Sequence, residues 1–591
     1  MRIVYTIGAA EPLAHRGRFR IDLEGIEGPA VELVLPSWVP GSYHIANYSR
    51  GFRAFDARRE PDGTELPVER IDKARWRVTT LDSPTVRIEY SVYGHAMIDE
   101  GFDLTSDHMF VNAALCLPYV EGHLTDPVEV VLESPPEWNV VTELEELETR
   151  PPRYRAANYD DLVDNPIDVG RPLVVTIRPG GIPHRICLCG EGGNYELHRL
   201  EEDIGKIVEA AIRLIGESPL KSYTFFYHLN DISDGGLEHV RTTSCVVPRL
   251  SFRPAEEYRR FLSLTSHEYL HLYNVKRIRP KVLGPFDYTR EVYTRLLWWM
   301  EGTTEYYADL VLRRAGLLTP AQYLEGLAKQ AQTYLDTPGR REQSLEEASF
   351  LAWIDHYQPF EETPNQSISY YLKGALVSLG LDLEIRHRTE NRASLDTVLR
   401  TLWTERGKPG RGLEEGELGP IASRATGVDL DPFFKRYVRG TDEIDFDGVA
   451  RRAGLSFGPK PKEPETETDE PGYLGIRYEN SEGLVKVRTV LSGAPARRAG
   501  LSPGDEIVAI NRAKVVHDGF DRTLKRFAPG TPVDLTVFRR GYLRTLSLTL
   551  GTPPPEKFAF TPVDSADVLA RTVYEGWLEA KWEPPAKTQE K

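Results

Sequence analysis

Cysteine and methionine each occur only four times in 591 residues. Cys116, Cys187, Cys189 and Cys245 are too few and too scattered for a disulfide framework or a four-thiolate zinc site. Cys187 and Cys189 alternate with Ile186 and Leu188, which reads as a strand carrying small buried thiols. No apolar run approaches the roughly 18 residues of a membrane-spanning helix, and no membrane partner is expected. The start, Met1-Arg2-Ile3-Val4-Tyr5-Thr6, runs into charged residues without the apolar core of a signal peptide, so a cytoplasmic location is expected. Excess positive charge is also lacking. Lys and Arg number 73 against 89 Asp and Glu, a net charge of -16, which argues against non-specific binding to nucleic acid or anionic membrane. The 40% hydrophobic and 27% charged fractions are those of an ordinary globular protein, long enough for roughly three to five domains.

Against this plain background one stretch carries chemistry: His267-Glu268-Tyr269-Leu270-His271. On a helix, residues four apart share a face, so His267 and His271 present two imidazoles to one tetrahedral ion. Glu268 beside them is placed to take a proton from water at that ion. A zinc ion with three protein ligands lowers the pKa of its water to roughly 7. With 14 histidines in the chain, chance supplies only about 0.03 matches to this pattern. Phe261, Leu262 and Leu264 precede it as the apolar side of a helix. Downstream, Trp298-Trp299-Met300-Glu301-Gly302 sets a lone carboxylate in an apolar run. An unpaired charge there would cost several kcal/mol unless a metal or cation takes it, so Glu301 is the third ligand of choice for a single zinc. Glu305, one turn on, reads either as a carboxylate orienting a ligand histidine or as a solvated helix residue.

His-Glu-Tyr-Leu-His followed by Leu-Tyr-Asn-Val-Lys-Arg-Ile-Arg-Pro at 272 to 280 resembles the glycyl aminopeptidase family of zinc metallopeptidases, gluzincin relatives of the aminopeptidase N group. The resemblance extends from Pro36-Ser37-Trp38-Val39-Pro40-Gly41-Ser42-Tyr43 to a PDZ module near the end. In the aminopeptidase N group the Glu of a similar Glu-Gly segment is the third ligand, in agreement with Glu301. The 29 residues from 272 to 300 are longer than that group's spacing and imply an insertion between the two helices.

The same resemblance assigns two further segments. Ser233-Asp234-Gly235-Gly236-Leu237-Glu238-His239 is similar to the Gly-x-x-Glu segment that holds substrate. Gly235 and Gly236 would let an extended peptide approach the backbone, and Glu238 would pair with a free N-terminal ammonium. From the residues alone the favoured reading is a turn glycine pair followed by an exposed Glu, and only the resemblance favours the substrate role; His239 is either a lining or a structural residue. Ser369-Tyr370-Tyr371-Leu372-Lys373-Gly374 resembles the segment whose tyrosine donates to the developing oxyanion. Residue-by-residue matching selects Tyr371, with Tyr370 as the alternative.

The expected fold class is multidomain α+β. Residues 1–170 read as an N-terminal β-sandwich, since Val86, Ile88, Tyr90 and Val92 alternate with polar neighbours. Residues 171–301 read as a thermolysin-like catalytic domain with the HExxH helix, and 302–455 as a helical domain completing the cleft. Residues 456–471, rich in proline and charge, read as a linker. Gly472-Tyr473-Leu474-Gly475-Ile476 and the run from Ala494 to Ile507 mark 472–551 as a PDZ domain. Leu474, Gly475 and Ile476 form its carboxylate loop beside a strand edge open to a C-terminal peptide ligand. Residues 552–591 form a tail in which Tyr574-Glu575-Gly576-Trp577-Leu578 is expected to pack back as a short helix.

The function expected is a zinc-dependent aminopeptidase acting on peptides with a free N-terminus, with Gly or Ala preferred by resemblance. Two other readings remain. A PDZ-assisted zinc endopeptidase shares the chemistry, although an intact Glu238 speaks against it. A non-catalytic peptide-binding protein is disfavoured by the presence of every catalytic residue type.

Overall fold

The computed structural model describes residues 1–98, 101–231, 234–460, 470–555 and 557–584. The chain forms two compact units. The first comprises Met1–Thr294, Tyr307–Leu317 and Leu399–Leu418; the second comprises Arg295–Tyr306, Leu318–Val398 and Gly419–Lys591.

The first unit begins β-rich because short alternating runs pair in register. In strand Thr85–Tyr93 the alternate residues Val86, Ile88, Tyr90 and Val92 are buried. Ile21 lies opposite Tyr5 on one neighbour and Ile88 on the other, so three inward side chains meet in one row. These strands belong to an eight-stranded sheet. It shares one hydrophobic core with a four-stranded sheet that includes Ala30–Val34 and Arg75–Thr79, as the layers of a sandwich do.

A five-stranded mixed sheet follows, in the order Leu173–Ile177, His184–Cys189, Tyr223–Asn230, Thr242–Pro248, Gly235–Glu238. The parallel pair His184–Cys189 and Tyr223–Asn230 is joined through helix Leu197–Ile215, the crossover that parallel strands require. Tyr223–Asn230 is central and buried on both faces. The edge strand Gly235–Glu238 runs antiparallel to Thr242–Pro248. Ser233 lies outside the described residues. Helix Ala255–His271 then buries Tyr258, Phe261, Leu262, Tyr269 and Leu270, and Glu256 and Glu257 in its first turn favour the positive end of its dipole. Between this helix and Trp298 the described structure holds a turn and one short 3₁₀ helix, Lys281–Leu283.

The second unit is organised on helix Tyr370–Arg388, buried along most of its length. Trp298–Thr303 is a π-helical turn that crosses it closely. A Cβ on Gly302 would come within 2.5 Å of the Gly374 Cα and 2.7 Å of the Tyr370 carbonyl, and one on Gly374 within 2.7 Å of the Trp298 carbonyl. Two glycines are therefore needed for this approach. Asp382, fully buried, accepts from the Tyr306 hydroxyl at 2.6 Å, Arg386 Nε at 3.0 Å and the Leu395 amide at 2.8 Å. Helix Val568–Leu578 packs back as expected of the tail, with Trp577 Nε1 donating to the Tyr306 hydroxyl at 3.0 Å.

The same unit carries a six-stranded PDZ-like sheet with its own core. The first residues of the expected linker, 456 to 459, are instead paired, since Leu455–Pro459 runs antiparallel to Phe558–Pro562. Apolar Phe457 stacks on Phe558 and packs tilted against Phe560 there, a contact that joins chain segments on either side of the PDZ module. Residues 461–469, the rest of the linker's proline-rich run, lie outside the described residues. Gly302→Ala is expected to lower stability by about 1–3 kcal/mol, because the opposing atoms are backbone and cannot rotate away; chemical denaturation of the purified variant measures this.

Candidate active site

His267 and His271 fall on one face of the last turn of helix Ala255–His271, and both are buried. Ser266 Oγ donates to the Ala308 carbonyl at 2.9 Å and Ser263 Oγ to Asp309 Oδ1 at 2.7 Å, which holds the helix against Tyr307–Leu317. The Nε2 atoms of the two imidazoles converge to 2.9 Å. His271 Nδ1 lies 2.7 Å from the Asn274 carbonyl, which can only accept. That bond sets the tautomer and turns the Nε2 lone pair toward His267. Two imidazoles so arranged fit a tetrahedral zinc.

Glu268 is buried, 3.5 Å from Thr243 Oγ1. The edge strand Gly235–Glu238 lies directly against it. A Cβ at Gly236 would stand 2.3 Å from Glu268 Oε1, so only glycine permits this contact. The strand then delivers Glu238, whose carboxylate oxygen lies within 4.8 Å of both a Glu268 oxygen and a His271 nitrogen. The structure thus brings together four of the expected residues in the first unit: Glu238, Glu268, His267 and His271.

Glu238 lines a cavity of about 430 Å³ with Trp38, Gly41, Tyr43, Asp160, Asp164 and Lys276 among its walls. Gly41 adopts a φ of +105°, and a Cβ there would meet Leu237 at 2.5 Å and Glu238 at 2.8 Å. The 36 to 43 stretch therefore caps the Glu238 carboxylate. Asp164 anchors the far wall. It accepts from the Val240 amide at 2.7 Å and pairs with Lys276 Nζ at 2.7 Å, and His239 Nδ1 lies 3.6 Å away. Burial alone would raise the Asp164 carboxyl, but Lys276 and His239 outweigh it and hold it well below the usual range. Burial pulls Lys276 down, yet Asp164 and then Glu238 keep it above its ordinary value. Both are charged at neutral pH. His239 is thus a buried member of the wall behind Glu238.

In the second unit, Glu301 is buried in the Trp298–Thr303 turn among buried Trp298, Trp299 and Met300. His356 is near enough to feel its charge. Burial lowers the His356 pKa, with Glu301 opposing. The His356 ring stacks on Tyr371 at 5.4 Å and lies 5.0 Å from Tyr370. Tyr370 is fully buried, whereas Tyr371 is partly exposed at the start of its helix. Lys373 is buried, donates to the Gln343 carbonyl at 3.1 Å, and has its pKa pushed down to about 8 by burial. Glu305 accepts from Gln330 Nε2 at 3.5 Å.

Comparison with known proteins now bears on these residues. The M61 glycyl aminopeptidase profile matches residues 260–377, the M61 N-terminal domain 4–171 and a PDZ domain 472–550. An aminopeptidase N family protein from Idiomarina loihiensis is similar to 98% of this chain over its whole length, at 30% identity and a TM-score of 0.90.

The chain belongs to the M61 glycyl aminopeptidase family.

As a member it is a peptidase and hence a hydrolase, of the metallo-aminopeptidase kind. Weaker likenesses include an M1 zinc metallopeptidase from Deinococcus radiodurans at 14% identity, covering 75% of this chain and 94% of that one, with a TM-score of 0.47. Another is aminopeptidase A from Legionella pneumophila at 12% identity, 74% and 49% coverage and a TM-score of 0.46. No curated protein sequence matches at the significance required of a relative. No described helix is long and apolar enough to cross a membrane.

In this M61 protein the 474 to 476 segment of the PDZ domain has Leu474 buried and Gly475 at a φ of +74° against Ala494. Strand Ile476–Ser481 is the edge of its sheet. Tyr478 spans from that strand to Asp521 on helix Phe520–Leu524, donating at 2.5 Å. Asn365 fastens the module to the helical part of the same unit, bonding the Val490 carbonyl at 2.9 Å and the Ser492 amide at 2.8 Å.

Sequence reasoning missed Gly41, Asp164 and Lys276 as neighbours of Glu238 and His356 as a neighbour of Glu301. None has a local pattern; the one usable signal was the apolar and glycine-bearing 36 to 43 stretch. Gly236→Ala is expected to lower kcat about 100-fold, the order lost when a catalytic group moves by about 1 Å, while the thermal midpoint stays near that of the parent. Steady-state kinetics beside a thermal scan checks both.

Proposed function

We propose that this protein is a zinc-dependent aminopeptidase releasing single N-terminal residues, Gly or Ala by family resemblance, from short peptides. His267, His271 and Glu301 would hold one zinc ion, a reading supported by the fixed tautomer of His271 and the burial of Glu301 in an apolar turn. Bound zinc supplies Lewis acidity, polarising the scissile carbonyl and bringing the pKa of water to roughly 7. Glu268 accepts the proton of the attacking water and passes it to the leaving nitrogen. The Tyr371 hydroxyl donates to the developing oxyanion, and its partial exposure favours it over buried Tyr370.

One observation carries the aminopeptidase reading. Oxygens of Glu238 and Glu268 lie within 4.8 Å of each other, while an amino-terminal nitrogen and its own carbonyl carbon are separated by two bonds, about 2.5 Å. A carboxylate that pairs with the ammonium therefore sets the first peptide bond beside the base. The cavity favours a cation, since Asp160, Asp161, Asp164 and Glu238 outnumber Lys276 and Arg279 on its walls. The free edge of strand Ile476–Ser481 supports a C-terminal peptide as a PDZ ligand, once Tyr478 swings aside. Four buried cysteine thiols suit a reducing cytoplasm.

Matched Gly- and Ala-headed peptides, free or acetylated at the N-terminus, test the reading on zinc-loaded protein. Stepwise cleavage of the free peptides alone is expected. Internal cleavage of both would replace it with the endopeptidase, and no cleavage by zinc-loaded protein would leave a binding protein. Glu268→Gln is expected to bind zinc at the parent's stoichiometry and lose about 10²–10⁴-fold in turnover. Metal analysis alongside kinetics measures this, and loss of zinc would make Glu268 a ligand instead of a base.

A further inference from the structure

A second cluster of metal-ligating side chains lies in the first unit, sharing no residue with the site above. His108 precedes strand Met109–Val111, and Asp168 sits on the antiparallel neighbour Ile167–Gly170. Cys189 ends strand His184–Cys189, and His228 is its register partner on the parallel strand Tyr223–Asn230. One ligand atom from each of the four lies within 4.8 Å of all the others. Asp168 Oδ2 is the hub, 2.7 Å from His108 Nε2, 3.1 Å from His228 Nε2 and 3.3 Å from Cys189 Sγ.

We propose that His108, Asp168, Cys189 and His228 form a structural site for a divalent transition-metal ion, with zinc the best fit, joining the N-terminal β-rich part to the five-stranded sheet.

Three features carry this. The first is charge. Asp168 is wholly buried and, among the described residues, has no lysine or arginine within ion-pair distance; its neighbours are two histidines and a thiol. A divalent ion would balance the carboxylate and a Cys189 thiolate at once. The second is incomplete bonding. Asp168 Oδ1 is buried without a hydrogen-bond partner among the described residues. A carboxylate oxygen left so costs stability in an arrangement held by hydrogen bonds alone, and an ion ligated by both oxygens would engage it. The third is spacing. Ligand bonds of roughly 2.0–2.3 Å in a tetrahedron put donor atoms about 3.3–3.8 Å apart. The 3.3 Å from Cys189 Sγ to Asp168 Oδ2 reaches that span, while the 3.1 Å and 2.7 Å from the histidines are hydrogen-bond lengths that would open by about 0.2–0.6 Å around an ion, as would the 2.9 Å between the Nε2 atoms of His267 and His271. Two nitrogens, one sulfur and one oxygen make a closed four-protein set, the form of a structural site with no position left for substrate. His108 is partly exposed and leaves an access path.

Cobalt separates the two sites, because only this one contains a thiolate. Full-length protein stripped by chelator and titrated with Co²⁺ is expected to bind two equivalents and to show a near-ultraviolet thiolate-to-cobalt charge-transfer band. His267→Ala should lose one equivalent and keep the band. Cys189→Ser should lose the band and keep one equivalent, and Cys187→Ser should keep both. Because Cys189→Ser alters a buried residue, a second measurement guards against misfolding: in the His267→Ala protein, Zn²⁺ should raise the thermal midpoint, and it should not in His267→Ala with Cys189→Ser. A wild-type protein without the band, a band that survives Cys189→Ser, or a midpoint in His267→Ala indifferent to Zn²⁺ would overturn the proposal. The charge-transfer band, its loss in Cys189→Ser and the Zn²⁺-dependent midpoint of His267→Ala need neither turnover nor metal at His267 and His271, so failure of the aminopeptidase reading would leave those three unchanged.

Discussion

The contact between Gly236 and Glu268 is the constraint on which the candidate site depends. An edge strand can press against the HExxH helix only where it carries no side chain, and an added Cβ would overlap the Glu268 carboxylate itself. Because the strand sits so close, the alternate residue Glu238 arrives beside Glu268 and His271. Strand geometry then does the positioning, since a two-residue step moves about 6.6 Å along one face. Glu238 and Glu268 are thereby related by a short piece of rigid backbone, not by flexible loops.

Several charges are buried near that contact, and their compensation explains the surrounding architecture. Asp164 gathers Lys276, His239 and the Val240 amide, which lets a cation stand behind Glu238 without neutralising the whole cavity. Gly41 closes the opposite wall. The second unit solves the same problem differently. Asp382 is paid for by Arg386, the Tyr306 hydroxyl and a helix-start amide, and this network also seats the tail through Trp577. The glycine pair Gly302 and Gly374 lets the turn bearing Glu301 lie on helix Tyr370–Arg388.

Much of this was legible residue by residue. The alternation of Val86, Ile88, Tyr90 and Val92 reports a half-buried strand because side-chain period and burial coincide. His267 and His271 read as a ligand pair because four residues make nearly one helical turn. Glu301 stood out as a charge amid tryptophans. Its π-helical turn did not, since a one-residue expansion leaves no signature in an apolar run. Tyr371 and Glu238 needed family resemblance, for a tyrosine in a helix start and a Glu after two glycines have common structural uses. Residues 456 to 459 read as linker by composition, although Phe457 pairs across a hundred residues with Phe558 and Phe560.

What the sequence by itself determined is therefore local: the helix that pairs two imidazoles with a carboxylate, the strand periods, the apolar run that isolates Glu301, and the turn glycines. Tertiary structure alone decided which of these meet. Gly41 against Glu238, Asp164 against Lys276, and His108 against Asp168, Cys189 and His228 join elements far apart along the chain. Such meetings depend on sheet order and register, which are settled by the packing of whole layers. No single segment encodes them.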